Sequence, residues 1–315
     1  MIPLKELPYW ICLAHIPKMK TVQKNGIVVS CFNEKIQLST FFNEIDNWKI
    51  KFQLDDSSCG AIKVAAETLT NLAFFVEDLL NQGVSIIPII DSDYPESLKR
   101  NMKYNAPVVL YVKGDVSLLN KDCVSIVGSR NADGVSLEFT DNIAKACANQ
   151  GYVIASGFAK GVDKQALESA LSVDGESIIV LPQGISTATS TLKAYYKPIV
   201  DGRVIALSTF HPKSPWSVEN AMLRNSIIYG LAQSIYVAQS DSKGGTWSGA
   251  INGLRKGQRI YVRKPSPDEK VANNLLIDKG CIPVDMDGHP ICSTSIEEKP
   301  KTVESASLFS DADFQ

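Results

Sequence analysis

The sequence predicts an α/β fold: an extended, mainly parallel sheet with helices between its strands, preceded by a smaller, mainly helical N-terminal domain. Three observations predict it. From Pro107 onward, short apolar runs recur at spacings of about 25 residues, with helix-length segments between them. The runs are continuously apolar rather than alternating, as in strands covered on both faces. The first hundred residues show helical spacing instead.

In the N-terminal part, Val64–Leu80 places apolar residues on one helical face, and Gly83 follows as a C-cap candidate. Val84–Ile90 reads as a strand, at a sheet edge because Pro88 lacks an amide donor. Asp93-Tyr94-Pro95 is turn chemistry. Strands are then expected at 108–112, 123–128, 152–155, 177–181, 204–207, 234–238 and 258–262. The expected divisions are a helical domain over 1–83, the α/β domain over 84–286, and a polar tail over 287–315 too poor in apolar residues to order.

Bulk properties limit the function. The chain has 315 residues, 44% of them hydrophobic and 21% charged, with a mean hydropathy of −0.02. No apolar run reaches the roughly 18 residues that span a bilayer, and Met1–Glu6 lacks the apolar core of a signal peptide. A cytoplasmic protein without membrane contact is expected. Seven cysteines, an odd number with no C-x-x-C spacing, read as free buried thiols rather than a metal site or a disulfide framework. Net charge is only −2, but residues 156–264 hold 13 Lys/Arg against 7 Asp/Glu, while 287–315 hold 2 against 6. A basic middle and an acidic tail can conceal a polyanion site behind a neutral total.

Four segments carry chemistry, and three of them follow a strand and open a helix. In such sheets ligands bind beyond the carboxyl ends of the strands, where helix N-termini offer free amides. The first segment is Gly128-Ser129-Arg130: a glycine for close backbone approach, a hydroxyl donor and a bidentate cation. The second, Ser156-Gly157-Phe158-Ala159-Lys160-Gly161-Val162-Asp163, frames Lys160 between two glycines, with Asp163 as the expected helix cap. The third is a helix in which Leu223, Ile227, Ile228 and Leu231 should pack inward while Arg224 and Asn225, near its start, reach toward the sheet. The fourth, Lys243-Gly244-Gly245-Thr246-Trp247-Ser248, adds a cation, two glycines and hydroxyl donors; Trp247 is either a base-stacking ring or part of the packing.

Taken in order, these segments resemble the DprA/Smf family of DNA-processing proteins. Val127–Arg130 matches its G-S-R turn, Ser156–Ala166 its S-G-x-A-x-G-[IV]-D-x-x-A loop, and Arg224–Leu231 its R-N-x-I-I-x-G-L helix; Gly244–Ala250 is a looser match to S-G-[ST]-x-x-T-A. Asp93–Pro95 and Ala106–Asp115 resemble the family's entry into its α/β domain, so the resemblance spans about 84–284. Leu167 and Ser226 stand where the family often has His and Arg, which marks a divergent member.

The resemblance implies an extended Rossmann-like sheet, single-stranded DNA as ligand, a homodimer, and delivery of DNA to a RecA-type recombinase. The implied role is in DNA recombination and competence or, for a divergent member, in phage defence or beside a toxin, with a neighbouring-gene product as the alternative partner to the recombinase. No catalytic constellation is identified in the sequence, so no catalytic residue and no cofactor are expected. Arg130 and Lys160 would contact phosphates, with the glycines at 128, 157 and 161 permitting close approach.

Two other readings share the fold. Phosphoribohydrolases carry P-G-G-x-G-T-x-x-E; Leu181–Ser186 lacks the second Gly and the Glu, and Lys243–Gly249 lacks that Glu. His15, His211 and His289 fall in no triad or metal-ligand spacing. An antitoxin-like interaction protein would keep the fold without DNA contact.

Overall fold

The computed structural model describes residues 2–291. Contacts divide the chain into two compact units, one running to Lys113 and one starting at Gly114.

The first unit is built from helices α1 (Leu7–Ala14), α2 (Thr21–Glu34), α3 (Leu38–Asn43), α4 (Ile45–Trp48), α5 (Asp56–Ala66) and α6 (Leu69–Asn81). Strand β1 (Val84–Pro88), helix α7 (Glu96–Met102) and strand β2 (Val109–Lys113) follow. Its core gathers Trp10, Ile11 and Leu13 of α1 with Ile27, Phe41, Ile62 and Leu79. β1 and β2 pair antiparallel, Pro88 opposite Val109. Asn25, fully buried in α2, donates from Nδ2 to the carbonyls of Tyr104 and Ala106 at 2.8 Å each, fixing the chain as it enters β2.

The helix expected over 64–80 is two helices, α5 and α6, bent by 60° where they meet. Thr68 accounts for the break: its Oγ1 donates to the Ala65 carbonyl at 2.7 Å, a local bond that competes with continuation of the helix. Gly83 (φ +72°) stands one residue beyond the Gln82 C-cap, and its amide donates to the Leu80 carbonyl at 2.9 Å. No single helix among the described residues is long and apolar enough to cross a membrane; α5 and α6 pass that test only as a bent pair.

The second unit alternates strand and helix: β3 (Cys123–Val127), α8 (Gly134–Asn149), β4 (Val153–Ser156), α9 (Val162–Ser172), β5 (Ser177–Val180), α10 (Thr189–Leu192), α11 (Tyr196–Val200) and β6 (Val204–Ser208). Then come α12 (Val218–Leu231), β7 (Ser234–Val237), α13 (Gly245–Arg255), β8 (Arg259–Arg263), α14 (Asn273–Asp278) and β9 (Ile282–Val284). Its strands run in the order β6-β5-β4-β3-β7-β8-β9, every neighbouring pair parallel. β3 to β6 are buried along their whole length, as their continuous apolar runs require. β9 was not legible as a strand: it has three residues, one of them Pro283.

The chain lays strands outward from β3 to β6, then returns to place β7 on the other side of β3. The turns after β3 and β7 therefore diverge, and a crevice opens between them at the carboxyl edge of the sheet.

Residues 287–291 close the described part with a turn: Asp285 Oδ1 accepts from the amides of Asp287 and His289, and Val284 bridges Pro290. The rest of the polar tail expected over 287–315 lies outside the described residues. The six described cysteines are free and buried.

Candidate nucleic-acid interface

The crevice between the β3 and β7 turns holds a cavity of about 360 Å³. Gly128, Ser129 and Arg130 enter it from the β3 turn, Arg224 and Asn225 from α12, and Lys243, Gly244, Gly245 and Thr246 from the β7 turn. Nine of the residues singled out from sequence thus meet in one place. The other four, Ser156, Gly157, Lys160 and Gly161, lie on the β4 turn. Lys160 and Gly161 line an adjoining cavity of about 470 Å³ together with Arg130, which borders both. Arg130, Lys160 and Lys243 are exposed cations.

The β3 and β7 turns lock to one another through Gln239. Ser129 N donates to the Gln239 carbonyl at 3.0 Å, and Asp133 N to Gln239 Oε1 at 3.0 Å. Ser129 Oγ accepts from Asn131 N at 3.1 Å, closing the turn that presents Arg130. Asp133 caps α8 through Ser136 N. Behind the β7 turn, buried Asn273 accepts from Ser240 N and donates to the carbonyls of Ala238 and Arg263. At the start of α13 the first amides have no intrahelical acceptor, and the cap residue is Gly244 (φ +100°), which brings no side chain to occupy them.

The glycines are also required by packing between the turns. A Cβ on Gly157 would fall 1.1 Å from Nη1 of Arg224, and one on Gly161 would fall 2.4 Å from the Ser129 carbonyl oxygen. At Gly128 it would meet Val162 at 2.5 Å. The space each glycine leaves is filled by protein, so these residues let the junctions pack on each other. Ser156 is likewise turned inward: it is buried, and its hydroxyl donates to the Asp163 carbonyl at 3.1 Å.

Three expectations about individual residues are corrected. Asp163 is not the cap of α9; the cap position is Gly161, and Asp163 is a buried helical residue 3.6 Å from Nη1 of Arg224. Arg224 is not near the start of its helix but seven positions in, and 3% exposed. Leu223 does not pack inward; it is 62% exposed. Helical phase explains both of the latter: the inward stripe runs Ala221, Arg224, Ile227 and Ile228, Leu231, so the arginine takes the slot assigned to leucine.

Burial dominates this pair. It pushes the Asp163 carboxyl above the ordinary carboxylate range despite the neighbouring Arg224, and it lowers Arg224 despite Asp163. The Nε and Nη1 atoms of Arg224 are buried without a hydrogen-bond partner among the described residues. Arg224 thus forms part of the cavity wall, with these two donors closed off from its open space.

Sequence reasoning missed Val218, Met222, Tyr229 and Asp241, which also line the cavity. They become visible only once α12 is placed against the β7 turn, where Tyr229 Oη donates to the Thr246 carbonyl at 3.3 Å. Phe158 was also missed. It sits in the β4 turn at φ +59° and packs edge-on against Tyr195 at 5.1 Å. A left-handed phenylalanine is uncommon and marks a constrained loop.

Residues 85–291 match the family model described as DNA recombination-mediator protein A. The DNA processing protein DprA of Bacillus subtilis is 30% identical over 182 residues, 58% of this chain and 61% of that protein. The chain thus matches less than two thirds of this relative's length. Among solved structures, DprA from Streptococcus pneumoniae superposes with a TM-score of 0.70 at 22% identity, over 90% of this chain and 95% of that one. A structure addressing the single-stranded DNA binding mode of DNA processing protein A from Helicobacter pylori superposes with a TM-score of 0.55 at 26% identity. It covers 64% of this chain and 90% of that one. The matched span takes in the crevice and all three β–α turns around it: the chain belongs to the DNA recombination-mediator protein A family, the DprA/Smf proteins.

Proposed function

We propose that this protein binds single-stranded DNA along the carboxyl edge of its parallel sheet. The observation that carries the reading is the convergence of three turns on two adjoining cavities that share Arg130. Arg130, Lys160 and Lys243 hold phosphates as exposed cations, and the open amides at the start of α13 add neutral donors. Gly157 leaves room for Arg224, and Ser156 bonds the backbone of Asp163, its ion-pair partner, so Arg224 adds buried positive charge beneath the strand. The acids in the lining, Asp163 and Asp241, leave the cavity a small cationic surplus rather than a strong field, suiting a ligand that is released again.

The Helicobacter pylori relative, whose reported structure concerns single-stranded DNA binding, supports the choice of ligand, and the family description supports a role in recombination. The function proposed is binding rather than catalysis, in the cytoplasm, as a homodimer that passes its strand to a RecA-type recombinase.

Fluorescence anisotropy with a labelled oligothymidylate and a matched duplex tests the core of this reading. The single strand should bind more tightly, and Arg130→Ala should cost about 1–2 kcal/mol, a loss of about 5- to 30-fold. Equal affinity for the two DNA forms, or an Arg130→Ala variant that binds like the wild type, would reject it.

A further inference from the structure

We infer that α12 supplies the base-binding wall of the crevice, with Val218 and Met222 as the side chains that receive unpaired nucleobases. The inference rests on single-stranded DNA as the ligand. It adds which way the strand faces and why a duplex is disfavoured.

α12 carries two stripes. The inward one, from Ala221 to Leu231, is buried against the sheet. The second runs Val218, Met222, Asn225 and Tyr229, spaced i, i+4, i+7 and i+11 on one helical face, and all four line the cavity. Exposure falls along it, from 66% at Val218 through 45% at Met222 to 5% at Tyr229, so the stripe descends from the mouth of the cavity to its floor. The floor is fixed. Tyr229 Oη donates to the Thr246 carbonyl, and a side-chain carbon on Gly249 would fall 2.7 Å from the tyrosine ring. Met222 reaches the start of α13, where a side-chain carbon on Gly245 would fall 3.4 Å from its Sδ. The inward stripe already holds α12 to the sheet, so packing does not require Val218 and Met222 to be apolar. They face the water of the cavity instead.

The β3 and β7 turns bring Arg130, Lys243 and the open amides of α13 to the same cavity. The lining is therefore divided by chemistry: cations and amides from the turns, hydrocarbon and thioether from the outer turns of α12. A nucleotide is divided in the same way, into a phosphate and a flat base with apolar faces. A strand that meets both parts lies with its phosphates along the turns and its bases against α12. In a duplex the base faces are stacked on one another and only their edges reach the grooves, so paired DNA keeps the phosphate contacts and loses the α12 wall.

Fluorescence anisotropy with two labelled strands of equal length tests this: an oligothymidylate and an abasic oligomer that keeps the phosphates. The wild type should bind the thymidylate about tenfold more tightly than the abasic strand. Val218→Ser with Met222→Ser should lose that preference and bind the two strands alike. Arg130→Ala should weaken both strands and keep their ratio, which separates the DNA reading from this one. Should the double serine variant fail to fold, the wild-type ratio decides, together with Met222→Ser alone, which should lower it. Equal affinity of the wild type for the two strands, or serine variants that keep the wild-type ratio, would overturn the inference and leave the DNA reading standing on Arg130→Ala. Binding of neither strand would end both.

Discussion

A side-chain carbon on Gly157 would lie 1.1 Å from Nη1 of Arg224, so the glycine of the β4 turn and the arginine of α12 occupy a single shared space. The consequence is a specific coupling. Gly157→Ala should displace Arg224 and cost about 1–3 kcal/mol of stability, as overpacking usually does. In an Arg224→Met background the same change should cost markedly less, because a flexible thioether yields where a paired guanidinium cannot. A double-mutant cycle by urea unfolding measures this, and additive losses would show that the two residues are not coupled.

Much of this arrangement was readable beforehand, and the unreadable part has a physical cause. Apolar runs without alternation identified the buried strands, because a strand covered on both faces needs no polar side. Turn chemistry at 128–130, 156–161 and 243–246 marked where the chain leaves the sheet. Strand order was not readable. Nothing in Ala238–Thr246 indicates that β7 returns to lie beside β3, yet that pairing makes the crevice. Inward-facing Arg224 was also unreadable, because a helix that fills an apolar slot with an arginine breaks the pattern used to phase it. Its partner, Asp163, lies 61 positions earlier in the chain.

The cost of breaking that pair differs from the cost of removing it. Asp163→Asn leaves Arg224 buried beside a neutral amide, and a loss of about 3–5 kcal/mol is expected. Replacing both, as Asp163→Asn with Arg224→Met, should recover most of it, since burial already outweighs the attraction between them. The double variant should nevertheless bind single-stranded DNA more weakly than the wild type, having lost the buried cation in the cavity wall. Thermal unfolding and anisotropy on the same samples separate the two effects.

Lys160 and Lys243 lie on different turns and line different cavities. If one strand crosses both, each lysine releases its own counterions, and neutralising either should lower the slope of log affinity against log salt by about 0.7. Lys160→Ala with Lys243→Ala should lower it by about 1.4, twice the single value. A strand confined to the β3–β7 crevice predicts instead that Lys160→Ala leaves the slope unchanged. A salt titration from low to physiological ionic strength tells the two paths apart.

Glu269 gives the fold a defined sensitivity to acid. Its carboxylate accepts from Arg263 Nη1 at 3.0 Å and Nη2 at 2.6 Å, and Arg263 is fully buried, donating also to the Ala238 carbonyl and Ser136 Oγ. The bonds from Arg263 hold the Glu269 carboxyl below its ordinary value of 4.5. A carboxyl depressed in the folded state stabilises fully above its unfolded pKa, and that contribution disappears as pH falls through the folded value. The stability gap between wild type and Glu269→Gln should therefore be constant from pH 8 to about pH 5 and close below about 4.5. At neutral pH the gap should be large, about 3 kcal/mol, because the glutamine leaves a buried guanidinium without its counter-charge. Arg263 reaches Ala238 at the root of the β7 turn, so the same variant should loosen the crevice and weaken DNA binding at pH 7. Urea unfolding across this pH range, paired with anisotropy at neutral pH, checks both. A gap that persists unchanged to pH 3 would show that the carboxylate charge is not what braces the turn.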